Sequence, residues 1–299
     1  MNAGARKALK PRDQALWQAA HNWRFDDCLS LLDGTTPNVK GADGLSALHF
    51  ACAGGRLDLV QALTKRGWSM ALPDSMGNTP VRIASRNGET EVVLAFWPAG
   101  TAAQGELLQT ACGNGRVATA KAILERGVSV EARNGRDGQT PLYTACESGH
   151  LEVARLLLDR GADIEATCHS GQRSLMIAAS CGYLDCLWEL IAAGCELDAT
   201  EAQGMTALLW AVEASRAAAV DHVRNPGTTG MAEIVGVLLE AGADPDIRPH
   251  DGPDARQRAV ELHDLALMDV FAAHDARKRL GNMLASDRSM AGPIQSSCF

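Results

Sequence analysis

The chain has 299 residues, 46% hydrophobic and 21% charged, a globular composition that leaves wholesale disorder out. A formal net charge of −8 argues against a nucleic-acid partner, which calls for an excess of Lys and Arg to neutralise phosphates. Aromatics make up only 4% while glycines number 29, so any core must pack small and aliphatic side chains closely.

The start, Met1 to Pro11, is basic and carries no apolar stretch, so no secretory leader is expected. No apolar run is long enough to predict membrane insertion. Asn2 replaces the glycine that myristoylation needs, and Cys298 is not fourth from the end as prenylation requires. Nine cysteines without a leader point to reduced thiols and a cytoplasmic or nuclear location.

From Leu16 to Leu32 the chain keeps a helical apolar spacing, with Ala19, Ala20, Phe25, Leu29 and Leu31, but lacks any turn motif. A repeat then begins. Turn glycines fall at Gly44, Gly77, Gly138, Gly171 and Gly204, with a period of about 33 residues and one gap of nearly two periods between Gly77 and Gly138. At the same offset after each comes an alanine: Ala51, Ala84, Ala145, Ala178 and Ala211. Further glycines follow at Gly55, Gly88, Gly149 and Gly182, and again at Gly67, Gly100, Gly161 and Gly194.

Each position has a physical reason. Thr79-Pro80 and Thr140-Pro141 read as an N-cap followed by proline at the first helical position. The later glycines suit left-handed residues that end one short helix and then a longer one. The alanines let neighbouring short helices approach closely. The predicted unit is a turn, a short helix, a tight turn, a longer helix and an extended connector.

Two units break the period. The stretch from Gly88 to Gly115 falls about six residues short of it, which predicts a shortened finger between repeats three and four, and a notch or bend there. In repeat seven the closing glycine, Gly242, comes late after Gly204, so an insertion of about 15 residues falls within 215–230. Its first helix is expected to run on to about Val223, to break at Asn225-Pro226-Gly227, and the second to start at Met231. The insertion is either a docking element or tolerated length, since loop-closure entropy grows slowly with size. From Gly252 to Phe271 the register persists with polar replacements, as in a capping unit.

The segment Gly138-Gln139-Thr140-Pro141-Leu142-Tyr143-Thr144-Ala145-Cys146-Glu147-Ser148-Gly149, continued through Gly161-Ala162-Asp163-Ile164, resembles the ankyrin repeat family and departs mainly at Tyr143, where histidine is usual. The resemblance covers about residues 12–274. It implies an all-α ankyrin-repeat solenoid of about eight helix-turn-helix units with short β-hairpin-like fingers and degenerate ends as caps. Residues 1–11 and 275–299 are expected as a flexible N-terminus and C-terminal tail.

No chemistry-bearing motif competes with that reading. The glycine-rich stretches around Gly113 and Gly135 fall on repeat turns, so no phosphate loop or cofactor is expected. Cys52, Cys112 and Cys146 share one core position, and Cys168, His169, Cys181, Cys186 and Cys195 lack metal-site spacing. His49 is expected to hydrogen-bond within its turn. No catalytic, cofactor-binding or metal-binding residue is nominated.

The resemblance implies protein binding along the concave face of fingers and first helices, in an adaptor, targeting subunit or inhibitor. Candidate contacts are Arg136, Gln139, Tyr143, Glu147, His169, Gln172, Met176, Met205, Trp210 and Glu213, with Met76 on the preceding finger. The connector position where the family usually carries Asn is acidic at Glu131, Glu165, Asp198 and Asp246, a stripe that would suit a basic segment of the partner. The alternative is structural: Met176 and Trp210 packed against neighbouring helices, the acids a solvated edge. The protein is expected to be a monomer. A self-assembling scaffold is the alternative, and a Cys/His hydrolase the remote one. Ser297-Cys298-Phe299 resembles a C-terminal ligand for PDZ domains.

Overall fold

The computed structural model describes residues 9–221 and 230–290, and the side chains of 217–221 and 281–290 are left aside. The chain divides into two compact units, residues 1–163 and 164–299. In the first, five helix pairs follow one another: α1 (Pro11–His21) and α2 (Phe25–Leu31), α3 (Ala47–Ala53) and α4 (Leu57–Lys65), α5 (Pro80–Asn87) and α6 (Thr90–Ala95), α7 (Thr101–Cys112) and α8 (Val117–Glu125), α9 (Pro141–Glu147) and α10 (Leu151–Asp159). The second holds α11 (Ser174–Cys181) and α12 (Leu184–Ala192), α13 (Ala207–Asp221) and α14 (Met231–Ala241), α15 (Ala255–Glu261) and α16 (Leu265–Met290).

The helix starts are set chemically. The Thr140 hydroxyl accepts from the Tyr143 amide at 3.2 Å, and Thr79 does the same for Arg82. In α3 a capping box replaces the Thr-Pro pair: His49 Nδ1 accepts from the Ser46 amide at 3.0 Å and lies 2.8 Å from its hydroxyl. Such a cap contributes about 1 kcal/mol. Gly88 and Gly182 end α5 and α11 in the left-handed region, at φ of 89° and 75°.

Between the helices lies a core of Leu and Ala. Leu48, Leu59, Leu63, Leu108, Ile123 and Leu157 are fully buried in the first unit, Leu187 and Leu190 in the second. Ala51, Ala84, Ala111, Ala145, Ala178 and Ala211 have no exposed surface, so a larger side chain at any of them would overpack the contact between first helices.

The fingers reverse direction with very little strand. One bridge, Lys40 to Ser46, is present among the described residues. Five fingers are closed instead by a cross-turn bond: Gly41 to Leu45, Asp74 to Asn78, Asn134 to Gln139, Cys168 to Gln172, and Glu201 to Met205. Successive fingers touch backbone to backbone. The Ser75 amide donates to the Asp43 carbonyl at 3.3 Å, and the His250 amide to the Gln203 carbonyl at 2.9 Å.

The irregular units resolve differently. In repeat four there is no finger: Trp97 to Gly100 leads straight into α7. In repeat seven α13 continues to Asp221 and α14 starts at Met231, while the Asn225-Pro226-Gly227 break lies outside the described residues. The C-terminal boundary needs correcting. α16 runs through Met290, so residues 275–290 of the expected tail are helical. Good helix formers follow the buried Phe271 without a breaker until Gly281, and ion pairs from Asp275 to Arg256 and from Arg277 to Glu240 tie that stretch to the array.

Candidate protein-binding face

In each unit the sequence candidates lie on the fingers and first helices. The residue just before each finger glycine is exposed in every finger: Asp43, Met76, Asp137, Ser170 and Gln203. The one before it is exposed as well: Ala42, Ser75, Arg136, His169 and Ala202. These ten side chains stand on a repeating backbone and differ in charge, size and polarity.

The fifth residue after Gly44, Gly138, Gly171 and Gly204 behaves in the opposite way. His49, Tyr143, Met176 and Leu209 are only 1%, 3%, 2% and 1% exposed. Tyr143 and Met176 are therefore core residues and offer no side-chain surface to a partner, which corrects the expectation that these two are partner contacts. The reason is visible at His49, whose ring faces Leu72, Asp74 and Asn78 of the next finger. Burial there lowers its pKa and keeps the imidazole neutral, as an acceptor of the Ser46 amide must be.

Several remaining candidates are tied into local networks. Gln139 accepts from Asn134 Nδ2 at 2.7 Å and reaches Glu147 at 3.5 Å, and burial raises the Glu147 pKa. The Gln139 backbone carbonyl accepts from the Gln109 side-chain amide, whose Oε1 accepts from the Thr144 hydroxyl at 2.7 Å. Glu213 pairs with Arg258 at 2.6 Å. The Met205 amide donates to Glu201 at 3.1 Å, and Gln172 accepts from Ser170 at 3.2 Å. Trp210 is half-buried, while Arg136 and His169 are exposed.

The acidic column has a scaffold task. Glu131 accepts from the Asp163 amide at 2.9 Å, Glu165 from the Glu196 amide at 2.7 Å, and Asp198 from the Asp244 amide at 2.8 Å. Asn38 does the same for the Ser69 amide at 2.8 Å. Each side chain thus holds the connector of the next repeat, and the shared property is an acceptor oxygen, with charge secondary. The signal was present in the sequence: Asn38, Glu131, Glu165 and Asp198 all stand at one offset after a glycine that closes a second helix. Glu165 also pairs with Arg173 at 2.9 Å, and Asp246 with Arg256. Glu196, Asp198 and Asp244 have no arginine partner among the described residues.

Four of the described thiols are poor nucleophiles. Burial pushes Cys28 and Cys195 up to about 11 and Cys112 up to about 12, and raises Cys52 further, whereas thiol catalysis needs a lowered pKa. Among the described residues no three His, Cys, Asp or Glu side chains gather to hold a metal ion. No helix of the described residues is long and apolar enough to cross a membrane.

Successive helix pairs, left-handed glycines at fixed spacing and short fingers between the pairs define a helical repeat solenoid. A family model for ankyrin repeats, in three copies, matches residues 16–104 and 99–168, more than half of the chain. The chain belongs to the ankyrin repeat family. It is similar to the ankyrin repeat-containing protein P1E11.10 of Schizosaccharomyces pombe, at 32% identity over 72 residues, 24% of this chain and 35% of that protein. It thus spans about a third of that relative's length. Its fold resembles the crystal structure of the human ASB11 ankyrin repeat domain, with a TM-score of 0.62 at 22% identity, over 79% of this chain and 99% of that one. Ankyrin repeats generally mediate protein–protein interaction and are typically non-catalytic.

Proposed function

We propose that this protein is a non-catalytic interaction module, an adaptor, targeting subunit or inhibitor, that holds a protein partner across its fingers and first helices. One observation carries the reading: the two exposed positions at each finger tip are fixed in space by the repeat and differ chemically from finger to finger. Scaffold positions repeat the same residue types, whereas these pairs change from Ala-Asp to Ser-Met, Arg-Asp, His-Ser and Ala-Gln, as a surface that reads a specific partner requires. In the second unit Glu196, Asp198 and Asp244 supply negative charge on successive connectors that no cation among the described residues pairs, which favours a basic partner segment there. The protein acts as a monomer in the cytoplasm or nucleus. Its array spans residues 12–290, with the insertion in repeat seven as additional docking length.

The test is affinity capture with the tagged full-length chain at low and moderate salt, beside a variant carrying Met76→Ser, His169→Ala and Gln203→Ala. A near-stoichiometric partner lost with that variant, and weakened by salt, supports the reading. Capture unaffected by all three changes, or oligomers of the protein alone that grow with concentration, would contradict it and favour self-assembly.

A further inference from the structure

Where repeat four lacks its finger, the first unit has a half-open cleft of about 640 Å³. Its walls are Met70, Val81, Phe96, Trp97, Pro98 and Leu107. Three observations show why it is open. A Cβ on Gly44 would meet the Ser75 amide at 2.5 Å, and one on Gly204 the His250 amide at 3.0 Å, because another finger lies against each. Gly77, at the tip of finger three, has nothing within 4 Å, and its neighbour Met76 is 83% exposed. The fifth residue after Gly77 is Arg82, and it lines the cleft instead of being covered as His49 is.

The charge around the opening is one-sided. Arg82 is oriented by its Nε bond to Thr110 at 3.2 Å, and Arg86, one turn on, donates to Asn78 at 2.8 Å. The Arg126 guanidinium lies 5.0 Å from the centre of the Trp97 ring. Among the described residues none of the three pairs with a carboxylate, whereas arginines elsewhere in the unit, such as Arg56, Arg66 and Arg160, do. A single carboxylate, Glu106, lines the cleft against them.

We propose that this cleft receives an apolar side chain from an acidic partner segment, which occupies the place of the missing finger. The volume falls in the range of ligand-sized pockets, the walls are mainly apolar, and the rim cations await carboxylates on either side of the anchor. The inference rests on the interaction reading and deepens it for the first unit. It calls for charge opposite to that favoured by the connectors of the second.

A phage-displayed library of random linear peptides, selected on the full-length protein, tests it. Enriched peptides are expected to carry a large apolar residue flanked by Asp or Glu, and its replacement by Ala to weaken binding about tenfold or more. Ala99→Trp fills the cleft from an exposed position and Arg126→Glu reverses its rim. Each is expected to abolish or strongly weaken binding while the circular dichroism spectrum and melting temperature stay unchanged. Peptides that bind but ignore both changes, and respond instead to His169→Ala and Gln203→Ala, would overturn the cleft and leave the interaction reading standing. Enrichment of basic peptides, or of none, would overturn it as well.

Discussion

Asp198→Ala removes the acceptor that holds the Asp244 amide at 2.8 Å, and its consequence follows from the geometry. A hydrogen bond to a charged acceptor contributes about 1.5–3 kcal/mol when sheltered. Here Asp198 is half-buried and Asp244 exposed, so water replaces part of what is lost and about 1 kcal/mol is the expected cost. For a unit of this size that lowers the melting temperature by about 2–4 °C. Asp198→Asn keeps an oxygen at the same position and should cost only a few tenths of a kcal/mol. The assay is thermal unfolding followed by circular dichroism, with hydrogen exchange at the Asp244 amide as the local readout. Faster exchange in the Ala variant and near wild-type exchange in the Asn variant are expected. If Asn were as damaging as Ala, or if neither altered exchange, the acceptor role of the column would be refuted.

Three further outcomes are expected. Gly44→Ala and Gly77→Ala share the left-handed strain of about 1–2 kcal/mol, but only Gly44→Ala drives a Cβ into the Ser75 amide, so it should unfold at clearly lower temperature; equal melting would remove the finger contact from the account. His49 has a folded pKa lowered from its ordinary 6.5, so below that pH the unfolded chain binds a proton the folded one resists. Its contribution, present above pH 6.5, is therefore lost as pH falls, and urea unfolding should show a slope between pH 7 and 5 that His49→Asn reduces; an unchanged slope would count against a buried neutral imidazole. Of the described thiols, a maleimide at pH 7.5 should label half-buried Cys181 before Cys52 or Cys112, as mapped by peptide mass spectrometry, and labelling of Cys112 in the native protein would contradict the packing.

How much was legible depended on whether a residue's role is local. The glycines at Gly88 and Gly182, the Thr140-Pro141 cap and the Ala51 series each answer to backbone geometry within their own repeat, so spacing exposed them. The long α13 and the start of α14 at Met231 were legible for the same reason. Roles filled by the following repeat were not. Tyr143 and Met176 sit on the binding side of short helices, yet lie at the position where His49 is covered by the next finger. The acidic column looked like surface charge because its partners, the amides of Asp163, Glu196 and Asp244, lie about one repeat or more ahead. The lost finger was countable from Gly88 and Gly115, but its result, an apolar cleft rimmed by unpaired arginines, needed the spatial neighbours of Arg82.

The central claim is that partners are read by the finger tips. A photo-crosslinking amino acid placed singly at Met76, Ser170 and Gln203, and as controls at Arg155 and Trp188 on second helices, tests it most directly in lysate. The account predicts adducts to one and the same partner from the finger positions and none from the controls. Equal adducts from the second helices, or adducts only between copies of this chain, would contradict it.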